Sequence, residues 1–285
     1  MIRSIYEFLC SRLIPEDSTL IVLDGMKINL PGRNAPSSIT VNLLMHGVWE
    51  RFQTKLFKDL IHEGMVVVDI GAHIGYYTLL AAERVGKKGA VFAFEPDESN
   101  YDLLIKNIKQ NEYSNVIPVK KAVTSSTGTV KLFLDARESG EHSIVGRKRG
   151  QKAVLVDSVA LDDFLNADYA VNVIKMDIEG AEMAALLGMS KVMARSPKLV
   201  VFTEFYPGAL ERAGVSPADY FNELQRHGFN IYLIDEQRQW WEAVSDIAYL
   251  TNYLMRKKIR GINLLCVKGS LMDMGVFQTL GKAEV

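Results

Sequence analysis

Three groups of residues in this chain have the types and the spacing to do chemistry. The first is Asp69-Ile-Gly71-Ala72-His73-Ile-Gly75, which follows the apolar run Met65–Ile70 and precedes a helical pattern over 76–85. Glycines let a backbone turn tightly and come close to a ligand, and the free amides of a helix start favour an anion. The second is Glu95, at the end of the apolar run Ala90–Phe94. An acidic residue roughly 20 positions beyond a glycine turn is placed to accept hydrogen bonds from ribose hydroxyls. The third is Asp177 with Glu179, in Ile174-Lys-Met-Asp-Ile-Glu-Gly-Ala-Glu182. Carboxylates at a strand end can orient a hydroxyl, take its proton or hold a divalent cation. Two acids at a helix start can equally be there for the helix dipole. Glu182 reads as a surface residue.

The histidines add two candidates. His73 lies inside the glycine turn, and His142 lies in Gly140-Glu-His-Ser143, where it can act as a general base or donor. His46, His62 and His227 have no supporting context, and Trp240-Trp241 reads by default as core or wall packing.

Positioning these groups requires strands alternating with helices. Runs near 65–70, 90–94, 116–123, 171–176, 199–205, 229–234 and 262–267 read as strands. Helical patterns fall near 48–61, 76–85, 99–111, 180–193 and 216–227. Such alternation implies a doubly wound, mostly parallel sheet. Its ligand crevice opens at the carboxyl ends of the strands beside the switch point, where Asp69, Glu95 and Asp177 all fall. Leu20–Leu23 and Lys27–Leu30 flank Asp24-Gly25 in a hairpin pattern. Thr129–Leu134 and Ala153–Val156 read as strands joined by a long polar loop. Long loops of this kind are usually functional or mobile. Residues 1–60 read as an N-terminal extension or cap, 61–270 as one α/β domain and 271–285 as a C-terminal tail.

Composition narrows the classes. The 285 residues are 48% hydrophobic and 24% charged, with a formal net charge of −1. Disordered and collagen-like classes are excluded, and the charge balance argues against a nucleic-acid binder. Two cysteines, Cys10 and Cys266, cannot build a disulfide framework or a zinc cluster. They read as thiols of a reducing cytoplasm. No run is long enough for an integral membrane segment. Ile2, Ile5, Tyr6, Leu9 and Leu13 share a helical face that can dock on its own domain, on a second copy in a homodimer or on a membrane surface.

The spacing D-x-G-x-x-x-G departs from the dinucleotide fingerprint G-x-G-x-x-G. It resembles the first loop of class I S-adenosylmethionine-dependent methyltransferases, although His73 stands where a third glycine is common there. Val68–Thr78, Phe94-Glu-Pro96, Val159-Ala-Leu-Asp-Asp-Phe164 and Lys175–Glu182 together resemble the FkbM-type methyltransferase family over roughly 47–268. The resemblance implies a Rossmann-like α/β fold with a seven-stranded, mostly parallel sheet and helices on both faces. It implies S-adenosylmethionine as cofactor and methyl transfer to a hydroxyl of a sugar or natural product. By that resemblance Asp69, Gly71, Ala72, His73, Gly75 and Thr78 form the cofactor loop, and Glu95 makes the ribose contact. Asp177 and Glu179 form the active-site acidic motif. Gly47-Val-Trp-Glu50 is similar to a family segment before the core, which brings Glu50 to the pocket. Asp177, Glu179 and His142 are the catalytic candidates, in that order, with no metal ligands assigned. The rival readings are a nicotinamide-dependent oxidoreductase and a non-catalytic protein that keeps the cofactor pocket.

Overall fold

A computed structural model describes residues 18–32, 37–135, 138–146 and 150–269. The amphipathic face from Ile2 to Leu13, Cys10 and the 271–285 tail lie outside the described residues. The elements are β1 (Thr19–Leu23), β2 (Met26–Leu30), α1 (Ser38–His46), α2 (Arg51–Leu60), β3 (Val66–Ile70), α3 (Tyr76–Val85), β4 (Ala90–Phe94), α4 (Glu98–Gln110), β5 (Val116–Val119), β6 (Ala122–Val123), β7 (Gly128–Phe133), β8 (Ala153–Val159), α5 (Leu161–Phe164), β9 (Val173–Met176), α6 (Glu182–Leu187), α7 (Ser190–Ala194), β10 (Val200–Phe205), α8 (Pro207–Arg212), α9 (Pro217–Arg226), β11 (Phe229–Asp235), β12 (Trp240–Val244), α10 (Ile247–Lys257) and β13 (Ile262–Lys268).

The main sheet has eight strands in the order β12-β11-β13-β10-β9-β3-β4-β5. From β5 to β10 the neighbours are parallel, and β13 enters antiparallel between β10 and β11. This is the class I arrangement expected, with one correction: Trp240-Trp241 opens an eighth strand at the edge. Tyr232 packs edge-on against Trp241 at 5.2 Å, which holds that strand in place. The chain runs outward from β3 to β5 and then returns to build β9 and β10 on the other side. The crevice between β3 and β9 is therefore the switch point.

Side chains alternate across each strand, and both faces are covered. Val68, Ile70, Ile174 and Met176 enter one core, while Val67 and Val173 enter the other. The second core also takes Ile28 and Leu30 of β2 and Phe57 of α2, so residues before 61 share it. Phe57 meets Tyr77 edge-on at 5.0 Å and Phe202 at 5.5 Å. Asn107 ties the hairpin to the glycine turn. Its Oδ1 accepts from the Asn29 N–H at 2.6 Å, and its Nδ2 donates to the Ile74 carbonyl at 2.8 Å.

Two further expectations are corrected. The strand read over 116–123 is split: β6 leaves the main sheet and joins a three-stranded sheet, β6-β8-β7. The helix read over 180–193 breaks at Gly188, where a Cβ would stand 2.1 Å from the Thr124 carbonyl oxygen. The chain can pass β6 there only without a side chain. Asp162, in the third family motif, accepts from the Lys191 and Val192 N–H groups at 2.9 and 2.8 Å. It satisfies the first turn of α7.

Candidate active site

The turn after β3 is held by its own backbone. Gly71 and Ala72 N–H groups both donate to the Phe94 carbonyl, at 3.0 and 2.9 Å. Gly71, His73 and Gly75 all adopt positive φ, at 81°, 51° and 94°. A Cβ on Gly71 would lie 2.1 Å from the Asp177 carbonyl oxygen, so the turn and the acidic motif touch through bare backbone. Gly75 instead makes room for Leu104 of α4. Asp69 is buried and accepts from the Thr78 hydroxyl at 2.6 Å. Burial pushes its carboxyl up to about 6, against the opposing effects of Thr78 and Lys175.

Glu95 is 5% exposed. One oxygen accepts from the His73 N–H at 2.8 Å and the other from the Asp97 N–H at 2.9 Å. Burial raises its carboxyl to about 8. It lines a cavity that opens to solvent, with Phe94, Pro96, Ala122 and Val123. The His73 ring is held near neutrality by burial, which lowers it to about 4, and its Nε2 lies 3.0 Å from the Ser139 hydroxyl.

A second cavity, about 900 Å³ and open to solvent, is walled by Trp49, Tyr76 and Tyr77, with Asp69, Lys175, Glu138 and Glu179 among its polar groups. Gly71, His73, Gly140 and Asp177 line both cavities. The two spaces therefore meet at the glycine turn and the acidic motif.

The segment Glu138–Gly146 lies across this junction. Glu138 accepts from the Ser38 N–H at 2.7 Å, Asn100 donates to the Ser139 carbonyl at 3.2 Å, and the Ser143 hydroxyl donates to the Glu179 carbonyl at 2.9 Å. The loop after the acidic motif is fixed from its other side as well. One Glu182 oxygen accepts from the Ile178 and Gly180 N–H groups, both at 3.2 Å. Glu182 is 2% exposed, with burial raising it to about 7, so the surface expectation for it is wrong. Two unpaired N–H groups at the helix start explain why the sequence places an acid there.

Glu50, Thr78, Gly75 and His142 take different places around the cavities. Glu50 accepts from Gln53 and Tyr77 on one oxygen, at 2.6 and 2.8 Å, and from Asn263 on the other at 2.6 Å. It lines neither cavity and supports Tyr77 from behind. Thr78 and Gly75 likewise build the turn rather than face the cavities. His142 lines the smaller cavity, and its Nδ1 accepts from the Asp135 N–H at 3.0 Å.

Lys175 and Glu204 were not singled out in the sequence. Lys175 is 2% exposed, donates to Asp177 at 3.0 Å and lies 5.1 Å from the centre of the Tyr77 ring. Burial opposes its charge, but Asp177, Glu50 and Asp69 outweigh it and raise its pKa. Glu204 closes β10 beside Asp177, and burial together with Asp177, Glu179 and Glu182 raises its pKa well above the usual carboxylate range. The available signal for both was a charged residue in an otherwise apolar strand.

An open α/β sheet with a glycine turn and acidic groups at its switch point is the frame of a class I methyltransferase. The chain belongs to the Methyltransferase FkbM domain family, which matches residues 69–231. Among proteins with sequence similarity, the hexuronic acid methyltransferase AglP of Haloferax volcanii is 26% identical over 168 residues. That match covers 58% of this chain and 63% of the relative's length. Methyltransferase sdnD of Sordaria araneosa is 27% identical over 176 residues, covering 50% of this chain and 68% of that protein. Among solved structures, methyltransferase FkbM of Methylobacillus flagellatus superposes with a TM-score of 0.44 at 17% identity, covering 82% of this chain and 56% of that chain.

The cofactor of this domain is S-adenosylmethionine, and the residues present fit it. Gly71 and Glu95 line the same cavity, and Glu95, a buried acid, would accept from the ribose hydroxyls. Asp69 and Asp177, which line the adjoining cleft, would flank its methionine end. Among the described residues, no helix is long and apolar enough to cross a membrane.

Proposed function

We propose that the protein transfers methyl to a hydroxyl oxygen of a sugar, sugar acid or related hydroxylated acceptor. The observation that carries this reading is the shared wall between the two cavities. The larger cleft meets the cofactor cavity at Gly71 and Asp177, and it combines an aromatic wall with carboxylates. Trp49 and Tyr76 offer flat apolar faces to a sugar ring. Carboxylates are acceptor-only groups that hold and align hydroxyls. The relative named as a hexuronic acid methyltransferase supports a sugar-acid acceptor.

S-adenosylmethionine supplies, when bound, a methyl group on a positively charged sulfur. Glu95 would hold its ribose, and Asp69, Gly71 and Asp177 would flank its methionine end. Lys175 fixes Asp177 through their hydrogen bond, and Ser143 and Glu182 fix the backbone that carries Glu179. Glu179, facing the cleft, accepts the hydroxyl proton as the acceptor oxygen takes the methyl. Holding oxygen and methyl in near-attack geometry supplies much of the acceleration, and a positioned base adds to it.

The test is methyl transfer from isotopically labelled S-adenosylmethionine to hexuronic acids and neutral hexoses, with the product linkage assigned by NMR. The reading expects a new methyl ether. Label found on carbon or nitrogen instead would contradict it.

A further inference from the structure

Asp177, Glu179 and Glu204 form a cluster of a kind not explained by cofactor binding. One carboxylate oxygen from each lies within 4.8 Å of the others. The sheet register brings two of them together. Thr203 pairs with Met176, so Glu204 and Asp177 leave adjacent strands side by side and on one face. Glu179 reaches the same place because its backbone turns back, with φ at 56°.

The second observation concerns Glu204 itself. Its Oε2 is buried and has no hydrogen-bond partner. A buried carboxylate oxygen without a donor is costly. The neighbouring cation, Lys175, is hydrogen-bonded to Asp177. Two further acids face Glu204, and no described basic side chain forms an ion pair with it within 4.0 Å. The loop that carries Glu179 is held rigid by Ser143 and Glu182, so the three carboxylates converge without rearrangement.

We infer that Asp177, Glu179 and Glu204 bind one hard divalent cation at the floor of the acceptor cleft. Three carboxylate oxygens suit magnesium, manganese or calcium, which take oxygen ligands at about 2.0–2.6 Å. Oxygens bound to one such ion are at most about 4–5 Å apart, and the three here fall within 4.8 Å of one another. Asp177 and Glu179 also line the cleft, so the ion's remaining positions face the acceptor. A hydroxyl bound there loses its proton more readily. Ion binding stands on the carboxylate geometry alone, whereas the ion's use toward a hydroxyl rests on the methyl-transfer reading above.

The experiment is a manganese titration of the full chain followed by electron paramagnetic resonance. The same titration is made on Glu204→Gln and Glu179→Gln, with circular dichroism as the check on folding. The expected result is one saturable site, displaced by magnesium and weakened at least about tenfold by either substitution. S-adenosylhomocysteine affinity should be unchanged in Glu204→Gln. Absence of saturable manganese binding overturns the inference, as does binding that both folded variants retain. If Glu204→Gln does not fold, the half-buried Glu179→Gln decides alone. Loss of the ion with methyl ethers still formed removes this site only. An ion bound with no methyl ether formed removes the acceptor reading only.

Discussion

The carbonyl oxygen of Asp177 lies 2.1 Å from where a Cβ on Gly71 would stand. The cofactor turn and the acidic motif thus pack backbone against backbone, with no space for a side chain between them. Gly71→Ala collides with main chain, whereas Gly75→Ala meets the end of the Leu104 side chain, at 2.7 Å. Both substitutions carry a left-handed backbone penalty of about 1–2 kcal/mol. Thermal unfolding should show Gly71→Ala as clearly the more destabilised, with S-adenosylhomocysteine binding lost. Equal losses in the two variants would contradict the contact.

Glu95 sets a pH dependence for cofactor binding. Its burial raises the carboxyl to about 8, while ribose hydroxyls need the ionised form. Below that value binding must first remove a proton, so affinity should rise about tenfold per pH unit and level off above about 8. Glu95→Ala should weaken binding by about 2–4 kcal/mol, or roughly thirty-fold to a thousand-fold. Calorimetric titrations of S-adenosylhomocysteine across this range check both, with Glu95→Gln expected to lose the pH slope.

The same burial governs stability. Asp69, Glu182 and Glu95 are raised to about 6, 7 and 8 in the folded protein. A raised folded pKa means that the unfolded chain releases the proton first as pH increases. The stabilising contribution is full below the unfolded values of about 4 and is lost as pH rises through 6, 7 and 8. Melting temperature of the ligand-free protein should therefore fall from about pH 5 to about pH 8. Scanning calorimetry with no such fall would contradict the burial of these groups in uncharged form.

Glu179 separates chemistry from binding. Glu179→Gln should retain S-adenosylhomocysteine affinity while turnover falls by about two orders of magnitude, the usual worth of a general base. Asp177→Asn should lose both, because Asp177 lines the cofactor cavity and accepts from Lys175. Paired turnover and binding measurements distinguish the two roles.

Much of this site was legible because its local rules are strong. A buried apolar strand followed by glycines, as in Val66–Gly71, has few structural alternatives. Helix 76–85 and strand 90–94 fall where periodicity puts them. What escaped was long-range. Lys175 and Glu204 become site residues only when β9 and β10 pair. Gly188 breaks a helix only because β6 crosses it.

One cavity, bounded by Glu95 and Gly71, opens onto the acidic cleft at Asp177. A crystal structure of the S-adenosylhomocysteine complex tests it most directly. The account predicts ribose hydroxyls on Glu95 and the sulfur beside Gly71 and Asp177, facing the cleft of Trp49 and Tyr76. A ligand whose ribose lies away from Glu95, or whose sulfur is closed off from that cleft, would contradict it.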